Sequence, residues 1–216
     1  MGAVGKREEL NVSAPSDDSL LKVVEQIRRK VPFFEELMTA ADEAAFQSAL
    51  EAHLDHCIRR LEDDARVLAK LDEEGLSAVL AQSLTFPGLA ATRETYANGH
   101  VDITITLEHS RPVRRVLAEA KVWGGPAYHF KGLEQLIGRY STGRDSGGLV
   151  IAYVTQPDIA KKIADLLGRL NYEKPCGQQG SATKLAFKWS LRSEHKHSSG
   201  ETLRVGHFAC NLHVNK

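Results

Sequence analysis

The chain has 216 residues, 42% of them hydrophobic and 26% charged, and its 28 basic and 28 acidic side chains cancel. That composition suits one good hydrophobic core, or a domain with an accessory segment, and excludes a disordered or coiled-coil reading of the whole chain. Zero net charge argues against binding nucleic acid by bulk charge alone, so a polyanion would need a local basic patch or a metal that neutralises carboxylates. No apolar run approaches the length of a spanning helix, and the N-terminus lacks the apolar core of a signal peptide. The expectation is therefore a cytoplasmic protein with no membrane contact. Cys57, Cys176 and Cys210 are widely spaced and form no Cys-x-x-Cys, which reads as free thiols in a reducing compartment.

Residues 1–15 show no periodicity and read as a flexible tail. Ser16, Asp17, Asp18 and Ser19 suit a helix N-terminus, and Leu20, Leu21, Val23, Val24 and Ile27 follow at helical spacing until Pro32. From about Ala41 to Leu71, the positions Phe46, Leu50, Leu54, Ile58, Leu61, Ala65, Leu68 and Leu71 recur three or four apart, predicting one long amphipathic helix. Residues 16–71 thus form an α-helical N-terminal segment. It either packs on the domain after it, the favoured reading, or offers a dimer seam.

A second domain spans 72–216. Leu76, Val79, Leu80 and Leu84 predict a helix ended by Pro87 and Gly88. Residues Thr92–Tyr96 then read as a strand, Asn98-Gly99 as a type I′ turn, and Val101–Leu107 as a strictly alternating strand. A strand Val113–Val122 follows, stopped by Gly124, Gly125 and Pro126. Next come a helix at about Lys131–Tyr140, a strand Leu149–Val154 and a helix at about Asp158–Leu170. Two strand-like runs, Lys184–Leu191 and Leu203–Leu212, enclose the polar loop Ser193–Gly200. This order predicts an α/β (α+β) architecture, a mixed sheet flanked by helices.

Within Leu117–Trp123, Glu119 and Lys121 share one strand face ~6.6 Å apart along the chain. Asp102 opens the polar face of the preceding strand with Thr104 and Thr106, and pairing of the two strands brings it toward that couple. Two carboxylates at a sheet edge, with the Ala120 carbonyl between them, make an all-oxygen site suited to Mg²⁺. A metal there polarises a phosphoryl oxygen and lowers the pKa of water, while Lys121 orients that water or stabilises developing charge. The plain alternative is a surface ion pair. Glu-x-Lys alone decides nothing, because Glu194-His195-Lys196 repeats it in what reads as a polar loop.

Asp102 on one strand, Glu119-Ala120-Lys121 on the next, and a helix before and after resemble the PD-(D/E)XK nuclease superfamily over about residues 72 to 155. The resemblance implies a restriction-endonuclease-like core with an α-helical N-terminal extension. It also implies a Mg²⁺-dependent DNA endonuclease, with Mn²⁺ able to substitute, working in DNA processing, repair or anti-phage defence; RNA is left open as a substrate. Many members act as dimers, for which the N-terminal helices offer a homodimer seam. A second reading is a non-catalytic nucleic-acid-binding or regulatory module that keeps the fold.

The resemblance also points to an acid on the helix before the hairpin. Glu73 lies three and seven residues before Leu76 and Leu80 and so faces the sheet, while Glu74 points about 100° further round. Its alternative role is that of a helix-start acid. Gln135 and Tyr140 resemble a Gln and Tyr that some branches carry on the helix after the catalytic strands, although Arg139 stands where the Tyr falls four after Gln135. Lys131, Arg139 and Arg144 are candidate phosphate contacts. Trp123 and Tyr128 are candidate stacking groups, with core packing favoured for Trp123. Glu94 is an accessory acid at most, since a two-residue turn pairs Thr95 with Asp102 and sends Glu94 to the opposite face. His207 and Cys210 point to opposite faces of a strand and are not expected to share a zinc; His195, His197 and His213 read as scattered.

Overall fold

Every residue of Gly147–Val154 is buried, as expected of a continuous apolar run covered on both faces of a parallel sheet. The computed structural model describes residues 17–96, 100–145 and 147–214, apart from the side chains of residues 94–96, 100 and 140. The expected N-terminal tail, the Ser16 cap and the Asn98-Gly99 turn lie outside these residues.

The described residues form one sheet from β1 (Leu89–Tyr96), β2 (His100–Leu107), β3 (Arg114–Val122), β4 (Gly147–Val154), β5 (Gln178–Lys184), β6 (Ser190–Lys196) and β7 (Thr202–Asn211). Their spatial order is β1-β2-β3-β4-β7-β6-β5. β3, β4 and β7 run parallel, and antiparallel strands extend the sheet on both sides. The helices are α1 (Asp17–Lys30), α2 (Phe34–Met38), α3 (Glu43–Asp63), α4 (Ala65–Leu68), α5 (Glu73–Leu84), α6 (Pro126–Gln135) and α7 (Ile159–Glu173). None of them is long and apolar enough to cross a membrane.

Two cores sandwich the sheet, because alternate strand residues face opposite ways. In the first, Leu50, Leu54, Leu76 and Leu80 of α3 and α5 meet Ile103, Ile105, Ala118, Ala120 and Ile151. In the second, Leu133 of α6 and Ile163 and Leu166 of α7 meet Leu117, Val150, Ala152 and Val205. Polar contacts also fasten α3 to the far strands: Arg192 donates to Glu51, and Glu62 accepts the Asn211 N–H at 2.7 Å. The long helical stretch therefore packs within the chain.

Several expected elements differ in detail. The helix predicted to run unbroken to Leu71 stops at Asp64, whose φ of −99° and ψ of 17° are not helical, and Leu71 is 40% exposed. Pro126 occupies the first turn of α6, so this helix starts earlier than predicted, with proline's fixed φ suited to that position. The stretch Leu136–Tyr140 continues α6 as a π-helical turn. The C-terminal part holds three strands rather than two, and Glu194 lies in β6 rather than in a loop. It pairs with Arg204 at 3.7 Å on the surface, so the second Glu-x-Lys remains a solvated ion-pair site.

Candidate active site

β2 and β3 pair from Leu107 opposite Arg114 to Ile103 opposite Ala118 and then part. Past that point, side chains take over from the ladder. The Ala120 N–H donates to Asp102 Oδ2 at 2.9 Å, and the Val122 N–H donates to Glu73 Oε2 at 2.9 Å. The alternation of β2 breaks here as well: Ile103 enters the first core and Val101 the second. Since β3 is third in a sheet of seven, the site is an internal split and not a sheet edge as expected. In an extended strand a residue's N–H and C=O leave on the same side, so the Ala120 carbonyl opens on this split.

Lys121 gathers the acids. Its Nζ lies 2.7 Å from Glu119 Oε1, 3.3 Å from Glu73 Oε1 and 3.6 Å from Asp102 Oδ2. Glu73 heads α5 behind the N-cap Asp72, whose carboxylate accepts from the Gly75 N–H at 2.8 Å. The helix-start acid thus reaches the site, while Glu74 is exposed. Glu119 is 1% exposed, and among the described residues its Oε2 has no hydrogen-bond partner. Burial first, and then the charge of Asp102, push its carboxyl from 4.5 up to about 7. Burial works against the Lys121 ammonium, but the hydrogen bond and charge of Glu119, with Asp102 and Glu73, overcome it and raise its pKa.

α6 roofs this couple through a glycine. A Cβ on Gly132 would sit 3.2 Å from Glu119 Cγ and 3.6 Å from Lys121 Cγ, so its absence lets helix and strand close up. An isolated glycine inside a helical pattern is the only sequence signal of this contact.

Gln135 is half-buried one turn beyond Gly132, and among the described residues it makes no hydrogen bond to Asp102, Glu119, Lys121 or Glu73. Lys131, Arg139 and Arg144 are exposed. Lys131 lines a cavity of about 670 Å³ with Lys196 along the outer flank of α6. Trp123 is a core residue at 6% exposure, and Tyr128 is 39% exposed. The side chains of Tyr140 and Glu94 lie outside the described residues. Thr95 pairs with Val101 rather than with Asp102, so the expected turn register is off by one residue.

Among the described residues, no group of His, Cys, Asp and Glu side chains stands ready-made to hold a metal ion. The carboxylates are arranged around an ammonium instead. No family model, curated protein or solved structure matches this chain.

A second polar cluster, unread in the sequence, lies under α6. The His195 ring donates from Nδ1 to the Cys176 carbonyl at 3.2 Å, because a carbonyl can only accept. The order of donors follows from that bond if all the rings are neutral. Ser193 donates to His195 Nε2 at 2.6 Å, His207 Nε2 donates to Ser193 at 2.7 Å, and His129 Nε2 donates to His207 Nδ1 at 2.9 Å. Neutrality follows from burial, which lowers all three rings and holds His129 down to about 4. His207 faces this cluster while Cys210 lies in the first core, so the two do point apart. Ser193→Ala leaves two buried ring nitrogens unpaired, and urea unfolding is expected to show a loss of about 1–3 kcal/mol.

Proposed function

We propose that this protein is a metal-dependent nuclease of the restriction-endonuclease-like kind, hydrolysing phosphodiester bonds in DNA. One observation carries the reading: Glu119, Asp102 and Glu73 converge on Lys121 where β2 and β3 part, with one buried Glu119 oxygen unpartnered among the described residues. The donors are all oxygen, the set that Mg²⁺ and Mn²⁺ take. Asp102, Glu119 and the Ala120 carbonyl, joined by Glu73, would hold such a cation. When bound, it polarises a phosphoryl oxygen and makes a water nucleophilic near neutral pH.

The chain's own groups do the rest. Lys121 places a fixed positive charge beside the charge that develops on the phosphoryl oxygens. Asp102 and Glu73, each tied to a backbone N–H of β3, keep their carboxylates in place. Gln135 orients the attacking water or a phosphate from the end of α6, and Lys131, Arg139 and Arg144 meet the strand backbone.

The test is plasmid nicking in Mg²⁺ or Mn²⁺ by wild type and by Asp102→Asn. Nicking by wild type alone is expected. Equal nicking by both, or none over a panel of DNA and RNA substrates, would sink the assignment. A second reading, a non-catalytic nucleic-acid-binding or regulatory module, is favoured by the way the Lys121 ammonium already occupies the space between the acids; retained binding without cleavage across that panel is its signature.

The roof glycine gives a finer test. Gly132→Ala gains about 1 kcal/mol of helix propensity but pushes on Glu119, which holds Lys121. Cleavage is expected to fall by about tenfold with the melting temperature nearly unchanged. An unaltered rate would show that the contact does not set the site's geometry.

A further inference from the structure

A cavity of about 450 Å³ lies where the end of α1 meets α3 and the end of α5, within the size range of small-ligand pockets. Ile27, Val31 and Phe86 give it apolar walls, and Lys30 of α1, Arg60 of α3 and the half-buried His56 also line it. Among the described residues that line it, none is an Asp or Glu. In a chain of zero net charge, two cations on one acid-free cavity are a departure. Their neighbours on the same helices are paired, Arg28 with Glu35 and Arg59 with Asp55. Lys30 and Arg60 have no ion-pair partner among the described residues. A base in the last turn suits each helix's dipole, but that rule does not bring both bases to one cavity.

The rest of the lining carries no negative charge either. The Ser83 and Leu84 carbonyls form the negative end of α5, and both are capped from α3: Cys57 Sγ donates to the first at 3.3 Å and His53 Nε2 to the second at 3.1 Å. Burial pushes the Cys57 thiol up to about 12, so it stays uncharged. His56 registers the positive field. Burial lowers its pKa first, and Arg60 and Arg59 lower it further against the pull of Asp55.

We propose that this cavity binds a small organic dianion, a phosphate monoester with a compact apolar body. Its phosphate meets Lys30, Arg60 and His56, and its body lies against Ile27, Val31 and Phe86. A phosphate monoester carries a charge of about −1.5 to −2 at pH 7, which matches two cations, whereas a carboxylate matches one. The assignment is independent of the nuclease reading, since the cavity includes none of Glu73, Asp102, Glu119 and Lys121.

Calorimetric titration of the full chain without added metal, using phenyl phosphate, benzoate and inorganic phosphate as probes, tests this. Phenyl phosphate is expected to saturate one site and to bind at least about tenfold more tightly than benzoate, which lacks the second charge, or inorganic phosphate, which lacks the body. The double variant Lys30→Gln with Arg60→Gln changes only exposed side chains and is expected to bind phenyl phosphate about tenfold more weakly. Ring-proton NMR locates the site: bound phenyl phosphate is expected to move the His56 titration upward, because a nearby anion favours imidazolium. No saturation by about 10 mM, equal binding of benzoate or inorganic phosphate, an unaffected double variant or an unmoved His56 overturns the proposal. Tighter binding of a 5′-phosphorylated oligonucleotide than of phenyl phosphate would make the occupant a strand end and overturn the small-molecule assignment.

Discussion

In Lys121→Ala, metal-dependent nicking is expected to fall about 10²–10³-fold, the usual consequence of removing one group that stabilises transition-state charge. The variant also has a signature apart from activity. Lys121 pairs with Glu119, Asp102 and Glu73, and removing one partner of a buried ion pair leaves uncompensated charge. The metal-free variant is expected to be less stable than wild type by about 3 kcal/mol, Glu119 limiting the loss by taking a proton. Added Mg²⁺ can then supply the missing charge, so it is expected to raise the variant's melting temperature more than that of wild type. Wild-type nicking by the variant would remove Lys121 from the chemistry. Equal responses to Mg²⁺ would remove the carboxylates from metal binding, whatever the cleavage result.

The parts of the site that rest on simple periodicity were legible in the sequence. Two residues apart in a strand means one face, which puts Glu119 beside Lys121. The stripe Leu76 to Leu84 fixes which acid of α5 turns inward, and Glu73 is found at Lys121. The split between β2 and β3 was not legible, because an alternating pattern predicts a continuous ladder and nothing local announces that a carboxylate will replace it. The approach of α6 through Gly132 depends on how the crossover from β3 to β4 lies on the sheet, a tertiary outcome. β5 and β6 were hidden for a different reason. β5 is an outer strand with exposed Gln, Ser, Thr and Lys positions, and β6 buries Ser190, Ser193 and His195, whose polarity is met by hydrogen bonds instead of being excluded. A hydrophobic alternation cannot register strands of that kind. Homodimerisation was anticipated for the N-terminal helices in general. α3 is locked into the first core, while Leu20, Leu21 and Val23 of α1 and Val67 of α4 are exposed.

Glu119→Gln is expected to abolish cleavage and stabilise the metal-free protein, a combination that a residue with a merely structural role would not give. Its carboxyl is held up to about 7 against an ordinary 4.5, by burial and by the charge of Asp102. For an acid raised on folding, ionisation is harder in the folded state. Wild-type stability from this group is whole below pH 4.5, declines as pH rises from there to 7, and stays low above it. At 1.36 kcal/mol per unit, the full penalty is about 3 kcal/mol, partly offset because the amide still leaves a buried polar atom to satisfy. Glutamine removes the ionisation. The melting temperature of Glu119→Gln is therefore expected to exceed that of wild type by roughly 5–10 °C at pH 8, with the gap closing toward pH 5. Saturating Mg²⁺ narrows the gap at pH 8 from the other side, since it stabilises only the chain that can ionise at this position. Thermal melts at three pH values, with and without Mg²⁺, read all of this. A gap that is flat with pH would mean that the buried oxygen is not where the strain of the site resides.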